Sequence, residues 1–288
     1  MEKLSETKDD SEKESTRIKW IGYKDQFFST VLIADDAFAG GQFTSTVHSK
    51  HSGYIKEYNT LTSVPFDLTG KTETGFRFYC GPNHYHTLKA YDEGAAKEDK
   101  LNLNKLVPLG WKIVSWINVI LVIPMFDLFS SWGLHIGIVI LLMTIVIKLI
   151  ILPFVFVSYK SSAKMRALKP QIDAINEKFP AEKMQERQQA TMQLYQQAGV
   201  NPMSGCLPML FQFPVLMAMF WFLPTAIELR GKSLLWAPDL STYDAILHWN
   251  FNIPLLGDHL SLFCLLMTIA NFGYTYVTMQ SQATDPNM

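Results

Sequence analysis

The stretch from Trp132 to Tyr159 decides the fold of this chain: W-G-L-H-I-G-I-V-I-L-L-M-T-I-V-I-K-L-I-I-L-P-F-V-F-V-S-Y. From Ile136 to Val157 it is almost wholly apolar. A helix of about 22 residues is long enough to cross a hydrocarbon core of about 30 Å. The sequence therefore predicts a membrane-spanning helix over residues 132–158.

One full charge, Lys148, lies just past the middle of this span. An ionisable group at that depth costs about 2.5–3.5 kcal/mol on insertion scales, so it should face protein or water and marks a candidate site. The alternative is a structural lysine that reaches a headgroup or pairs with a carboxylate. Reaching a headgroup is difficult from this depth, because about ten residues separate Lys148 from either end of the span.

The overall composition excludes several classes of protein. The 288 residues carry a net charge of −1, so no basic excess indicates a nucleic-acid partner. The three cysteines predict free thiols and not a disulfide framework. The first 15 residues have no apolar core, so they are not a signal peptide.

Residues 1–105 predict part of an extracytoplasmic β-sandwich, preceded over residues 1–16 by a disordered or trimmed lead. Residues 17–24 and 25–34 are rich in aromatic and β-branched side chains, and residues 74–82 alternate with period two. The last segment places Phe76, Phe78 and Cys80 on one face of a strand. The histidines of this half lie in polar loops without metal-ligand spacing, which favours solvated side chains over a metal site; they are His48, His51, His84 and His86.

Residues 106–130 predict a short amphipathic helix that lies in the headgroup plane. Lys112, Ser115 and Asn118 form a polar stripe, and two tryptophans suit the interface. The alternative is a true span, which would invert the orientation of everything that follows.

Residues 159–200 predict a helical hairpin, with Pro180 between its limbs. Between residues 160 and 200 it carries seven Lys/Arg against four Asp/Glu, whereas the loop from Glu228 to Asp258 holds only Arg230 and Lys232 as basic residues. The positive-inside rule therefore places the hairpin in the cytoplasm and that loop outside. The β-rich half is then also outside.

Two further spans are predicted over residues 203–227 and 259–279. Each carries polar groups near mid-depth: Gln212 in the first, and Thr268 and Asn271 on one face of the second. Thr144 lies one turn before Lys148. These residues predict a wet, weakly basic cavity shared by three spans, with no catalytic group, cofactor or metal site. Taken singly, each of them is also consistent with a hydrogen bond between helices.

Several motifs resemble the YidC/Oxa family of membrane protein insertases. They are A-K-M-R-A-L-K-P-Q-I, G-V-N-P-M-S-G-C-L-P-M-L-F-Q-F-P-V, E-L-R, L-W-A-P-D-L-S and the closing D-P, in that order within residues 107–288. The β region is similar, more weakly, to the end of the large periplasmic domain of bacterial YidC proteins.

The resemblance implies five helices around a hydrophilic groove that is open to the cytoplasm and to lipid and closed outside. It also implies a multi-pass protein of the bacterial inner membrane, of which this chain is a fragment with three of the five spans and no N-terminal anchor. Lys148 stands where the family has a groove arginine, which is a departure because a desolvated lysine can lose its proton. Thr144 and Gln212 fall on groove-lining positions.

The expected function is to guide nascent membrane proteins into the bilayer without chemical catalysis. The expected partners are the substrate proteins, the ribosome, membrane lipid and the Sec translocon. The alternative function is a transporter or channel subunit, which would require a groove open on both faces and a charged partner for Lys148.

Overall fold

The protein is described by a computed structural model over residues 2–49, 52–178, 183–200, 207–253 and 257–281. The chain forms two compact units. The first is Met1–Pro108 together with Thr225–Ile227, and the second is Leu109–Pro224 together with Glu228–Met288.

The first unit is built from two antiparallel three-stranded sheets, with strand orders β1-β4-β5 and β2-β3-β6. A short helix, α1 (Tyr85–Ala90), follows the last strand. The strands are β1 (Asp10–Glu14), β2 (Ile18–Lys24), β3 (Phe28–Phe38), β4 (Gly41–Val47), β5 (Lys56–Thr62) and β6 (Phe76–Pro82).

The three segments predicted as strands form the sheet β2-β3-β6, so the predicted β-sandwich class is confirmed. Alternation decides which side chains are buried. Val31 pairs with Tyr79 and both are buried, whereas Phe78 on the opposite face is 70% exposed. Phe76, Phe78 and Cys80 share one face as predicted, and that face is the exposed one.

The prediction of a disordered lead over residues 1–16 is wrong. Strand β1, D-S-E-K-E, pairs antiparallel with β4 from Asp10 opposite Ser45 to Glu14 opposite Gly41. It is an edge strand, and its stability comes from the backbone ladder and not from an apolar face. Sequence alternation cannot reveal a strand whose side chains are all polar.

The second unit carries the apolar helices and one β-hairpin. Strands β7 (Ala245–Ile253) and β8 (Gly257–Ser261) pair antiparallel and precede the last helix. The helices are α2 (Lys112–Ile117), α3 (Ile123–Ser131), α4 (Ile136–Ala167), α5 (Lys169–Lys178), α6 (Met184–Gln197), α7 (Leu207–Phe222) and α8 (Leu262–Ser281).

Helix α2 continues into helix α3 through a π-helical turn at Asn118–Val122. The turn directly precedes Pro124, which cannot donate the hydrogen bond that a regular α-helix requires. The predicted polar stripe does not face water throughout, because Asn118 is fully buried and donates from Nδ2 to the Leu109 carbonyl at 3.0 Å. The apolar Ile113 and Trp116 are exposed instead.

Two helical stretches of the described residues are long and apolar enough to cross a membrane, Lys112–Ser131 and Ile136–Met165. Two shorter apolar helices are Met209–Thr225 and Leu262–Val277. Together with the sheets, they confirm the predicted class of a helical membrane core preceded by part of a β-sandwich. The interfacial placement of residues 106–130 stays a prediction, since the length of Lys112–Ser131 also suits a span.

The predicted helical hairpin begins within α4, which continues to Ala167. A turn at Leu168 then separates α4 from α5, where Pro170 occupies the first turn of the new helix. Helices α5 and α6 contact each other. Pro180, the predicted turn residue, lies outside the described residues.

The hairpin β7–β8 is absent from the sequence prediction, which treated residues 228–258 as a loop. Its signal was present: L-H-W-N-F-N-I from Leu247 to Ile253 alternates apolar and polar residues without a break. Because β8 ends at Ser261, the last helix begins at Leu262, three residues later than predicted.

Asp244 ties this hairpin to the start of α8. Its buried carboxylate accepts hydrogen bonds from the Phe263 amide at 2.9 Å, from Trp236 Nε1 at 2.9 Å and from the Ser261 hydroxyl. Burial alone would raise the pKa of Asp244, but these donors outweigh it and hold the pKa below its ordinary value.

We predict that Asp244→Ala lowers the free energy of unfolding by about 3 kcal/mol, because three partly buried donors lose their acceptor. Since the folded pKa is depressed, this stabilisation is present above about pH 4 and is lost as pH falls through the folded pKa. Thermal unfolding at pH 7 and at pH 3, followed by tryptophan fluorescence, measures both effects.

The matched control is Asp258→Ala. That side chain is 69% exposed and its one ion pair, with His259, is at the surface. It should change the free energy of unfolding far less than Asp244→Ala does. Equal losses for the two variants would contradict the role given to Asp244.

Candidate functional site

A cavity of about 400 Å³ lies between helices α4 and α7, and each helix forms one side of it. Its polar lining residues are Thr144 and Lys148 of α4 and Gln212 of α7. The other lining residues are apolar: Ile147, Ile151, Val215, Leu216, Met219, Phe220, Leu223 and Pro224.

The spacing along each helix explains this grouping. Thr144, Ile147, Lys148 and Ile151 recur at intervals of three and four residues, which places them on one face of α4. The lining residues of α7 follow the same intervals from Gln212 onward.

Helices α4 and α7 contact each other beside the cavity. Met143 of α4 and Ala218 of α7 are fully buried. The rings of Phe154 and Phe211 stack with their centroids 4.3 Å apart. Phe211 directly precedes Gln212 in the sequence. Because Phe154 lies three residues beyond Ile151, this stack lies toward the α5 end of α4 from the cavity. The ring stack therefore joins α4 and α7 at that end of the cavity.

Lys148 is exposed within this setting and not enclosed by carbon. No carboxylate among the described residues forms an ion pair with it. The Thr144 hydroxyl donates to the Ile140 carbonyl at 2.9 Å, which leaves its oxygen lone pairs toward the cavity. The site therefore offers one cation and two neutral polar groups in otherwise apolar surroundings.

Thr268 and Asn271 are not brought to this cavity. Both lie on exposed parts of α8, and neither is among the lining residues. The Thr268 hydroxyl donates to the Cys264 carbonyl at 2.8 Å within the helix. Periodicity showed correctly that the two residues share a face, but α8 contacts strand β8, and spacing alone cannot say which neighbour a face meets.

The sequence prediction passed over the apolar part of the lining. Met219, Phe220 and Leu223 make up the cavity wall nearest the C-terminal end of α7. Their signal was the repeat of three and four residues that starts at Gln212, and a search for polar groups alone could not find it.

The remaining surface of α4 is suited to lipid. The exposed large apolar side chains of its middle section are Ile138, Leu141, Ile145, Leu149, Ile150, Leu152, Val155, Phe156 and Val157. A contiguous apolar surface of this size is typical of contact with a membrane or another protein. Because Leu141, Leu152 and Val155 lie within about 40° of Lys148 around the helix, the cation stands at the border between the cavity face and the lipid-facing surface.

Outside the cavity, no group of three metal-ligating side chains occurs among the residues that the structure describes. His48 contacts Glu57 at 3.2 Å, and His84 contacts the Thr87 hydroxyl at 2.8 Å. His51 lies outside the described residues. Cys80 and Cys264 are free thiols, and Cys206 also lies outside the described residues.

Comparison with known families matches both parts of the chain. Residues 127–288 match the model of the 60Kd inner membrane protein family, and residues 1–124 match that of the YidC periplasmic domain. The chain belongs to the YidC family of 60Kd inner membrane proteins. It is accordingly a multi-pass protein of the inner membrane whose N-terminal unit is periplasmic.

The similarity to individual members extends over nearly the whole chain. It is 53% identical to the membrane protein insertase YidC of Parabacteroides distasonis and to that of Bacteroides fragilis, over 99% of this chain and 46% of each relative. Identity to the insertase of Porphyromonas gingivalis is 44%, over 99% of this chain and 47% of that protein. The chain thus spans about half the length of the curated relatives that it matches.

We predict that the cavity face of α4 is wet and the opposite face is in lipid. In the full-length protein in membrane vesicles, Lys148→Cys should react with a water-soluble maleimide at least tenfold faster than Ile150→Cys. Both side chains are exposed, but two residues on a helix point about 200° apart, so lipid should protect the second only. Similar rates at the two positions would contradict a water-filled cavity.

Proposed function

We propose that this protein inserts membrane proteins into the bilayer, with the Lys148 cavity receiving the polar flank of the substrate. The observation that carries the proposal is a cation without a described carboxylate partner inside the apolar part of a membrane protein. Family membership and the names of the relatives support it.

The energetic problem that an insertase solves is desolvation. Each backbone group that loses its hydrogen bonds in hydrocarbon costs several kcal/mol, and a charge costs more. A polar recess partway through the bilayer removes part of that cost for the flank of a substrate. The apolar segment of the substrate then gains its burial by moving sideways into lipid, and no chemical step is needed.

The lining of the cavity suits both parts of such a substrate. Lys148 attracts an acidic flank, and Thr144 and Gln212 offer hydrogen bonds to its backbone. The apolar wall of Met219, Phe220 and Leu223 can contact the hydrophobic segment that follows. We assign Thr268 and Asn271 to a second polar face, on α8, that meets the substrate or another part of the groove.

The helical hairpin formed by α5 and α6 is the proposed contact with the ribosome and the targeting machinery. Residues 160–200, which include the end of α4 as well as α5 and α6, carry seven basic against four acidic residues. This excess supports a cytoplasmic hairpin and a periplasmic Ile136 end of α4. A basic surface is also suited to ribosomal RNA and to acidic lipid headgroups. The Sec translocon is the proposed further partner, and it would contact the membrane-spanning part of the protein.

We predict that Lys148→Leu lowers insertion of a substrate with an acidic periplasmic flank about 30-fold, whereas Lys148→Arg retains most of it. A carboxylate about 8 Å from the amine at an effective dielectric of about 20 gains about 2 kcal/mol, which this variant would lose. Protease protection of the translocated flank in a reconstituted system measures insertion.

The control for this experiment is the same substrate with a neutral flank, which should be inserted equally well by all three proteins. If Lys148→Leu inserts the acidic substrate normally, the electrostatic role is wrong. Ion flux through the reconstituted protein would favour a channel instead.

We predict that removal of residues 165–195 abolishes productive delivery of ribosome-bound substrates and leaves the protein in the membrane. The physical reason is that α4 crosses the apolar core before residue 165, so the deletion takes only the hairpin. Co-sedimentation with ribosomes and membrane extraction with alkali measure the two effects. Normal ribosome binding by the deletion variant would refute the assignment.

A further inference from the structure

We propose that one face of the hairpin β7–β8 docks on lipid in the headgroup region of the periplasmic leaflet. The proposal goes beyond membrane protein insertion and does not depend on it, because it concerns only how this hairpin meets the bilayer. The apolar hairpin face, as it is called below, consists of the side chains on one side of the two strands: Leu247, Trp249, Phe251 and Leu260.

Strand alternation separates this apolar side of the hairpin from a polar one. Leu247 pairs with Leu260, and the next pair along the strands is His248 with His259. Successive residues of a strand point to opposite sides of the sheet, so the leucine pair and the histidine pair lie on different faces. The hairpin is therefore amphipathic, which is the property that an element lying in the headgroup region needs.

The residues that the structure describes leave much of the apolar hairpin face open. Leu247 is 55% exposed and Phe251 is 65% exposed. Trp249 lies between them in the strand, and its ring centroid is 6.3 Å from that of Phe251. An exposed group of large apolar side chains such as this one is typical of a surface that contacts a membrane or another protein.

Helix α8 fixes the level of the hairpin relative to the bilayer. The helix has 20 residues and begins at Leu262, directly after β8 ends at Ser261. Its length of about 30 Å equals the thickness of the hydrocarbon core, so its first residue lies at a membrane surface. The proposed cytoplasmic placement of α5 and α6 makes this the periplasmic surface.

Continuity with α8 favours lipid over a protein as the occupant. From its first turn onward α8 exposes apolar side chains, with Leu265 41%, Leu266 45% and Met267 60% exposed. The hairpin thus leaves from a helix whose own surface is suited to lipid. The sequence also has no Lys or Arg from residue 233 to residue 281, so burial of apolar area and not attraction to acidic headgroups would hold the hairpin.

The hydrogen bonds of the hairpin set the depth to which it can enter. Trp249 Nε1 donates to the Gly257 carbonyl at 2.9 Å, so the indole can enter apolar surroundings without losing a hydrogen bond. The sheet has only two strands among the described residues, so the outer backbone edge of each strand is open. Those groups require water, which places the hairpin in the headgroup region and not in the hydrocarbon core.

The test uses the full-length protein in phosphatidylcholine vesicles, with its native cysteines replaced by serine. The fluorophore nitrobenzoxadiazole is attached to Leu247→Cys on the apolar hairpin face or to His248→Cys on the other face, two adjacent positions whose side chains are exposed. Bromine atoms near the ester end of the acyl chains should lower the emission from position 247 about threefold and leave that from position 248 nearly unchanged. Aqueous iodide should quench position 248 more strongly than position 247.

Phe251→Ser and Ile246→Ser are the matched variants. Both replace exposed apolar side chains of β7, but Phe251 lies on the apolar hairpin face and Ile246, which is 49% exposed, lies on the opposite one. With the fluorophore at position 247, Phe251→Ser should lower the quenching by brominated lipid about twofold, because less apolar area is buried. Ile246→Ser should leave it unchanged.

The proposal is overturned if iodide quenches positions 247 and 248 equally, because the apolar hairpin face would then lie in water. Shielding of position 247 from both quenchers would also overturn it, because protein and not lipid would cover the face. Stronger quenching by bromine near the chain ends than by bromine near the ester would refute the headgroup placement. Quenching requires no substrate, so these results are independent of the insertion assays.

Discussion

The absence of hydrogen-bond partners in hydrocarbon is the constraint on which the membrane unit depends. A span can carry Lys148 only if another part of the protein keeps lipid away from that face. Helix α7 lines the other side of the Lys148 cavity with Gln212, Met219 and Phe220. The same helix α4 exposes an apolar surface on its remaining faces, so one element serves two different surroundings.

The periplasmic unit follows a different rule, because water is available to its backbone. An edge strand as polar as β1 is stable there, since its side chains can remain hydrated while its backbone pairs with β4. In the membrane unit, one polar segment stands directly before the last apolar helix. The hairpin β7–β8 and the carboxylate of Asp244 lie at this end of α8, where Asp244 satisfies donors that the start of α8 leaves open.

The cavity brings polar groups of two helices to one level of the membrane unit. Lys148, Thr144 and Gln212 form a polar band between apolar side chains of α4 and α7. Such a band lowers the free-energy cost of a polar group at that depth, because it offers a charge and hydrogen bonds where hydrocarbon offers neither. Nearer the start of α4, the side chain of Leu234 packs against Gly137, where a Cβ atom would overlap with it.

The sequence by itself determined the class of the protein, the first span, the strands of the sheet β2-β3-β6 and three residues that share one cavity. These features follow from local periodicity and from the cost of a charge in hydrocarbon, which act within a single segment. Only the tertiary structure decided that β1 pairs with β4, that Asn118 is buried, that Thr268 and Asn271 lie outside the cavity and that Leu234 covers Gly137. The physical reason is that each of these depends on which distant segment meets a face, and a helical repeat defines the face but not its neighbour.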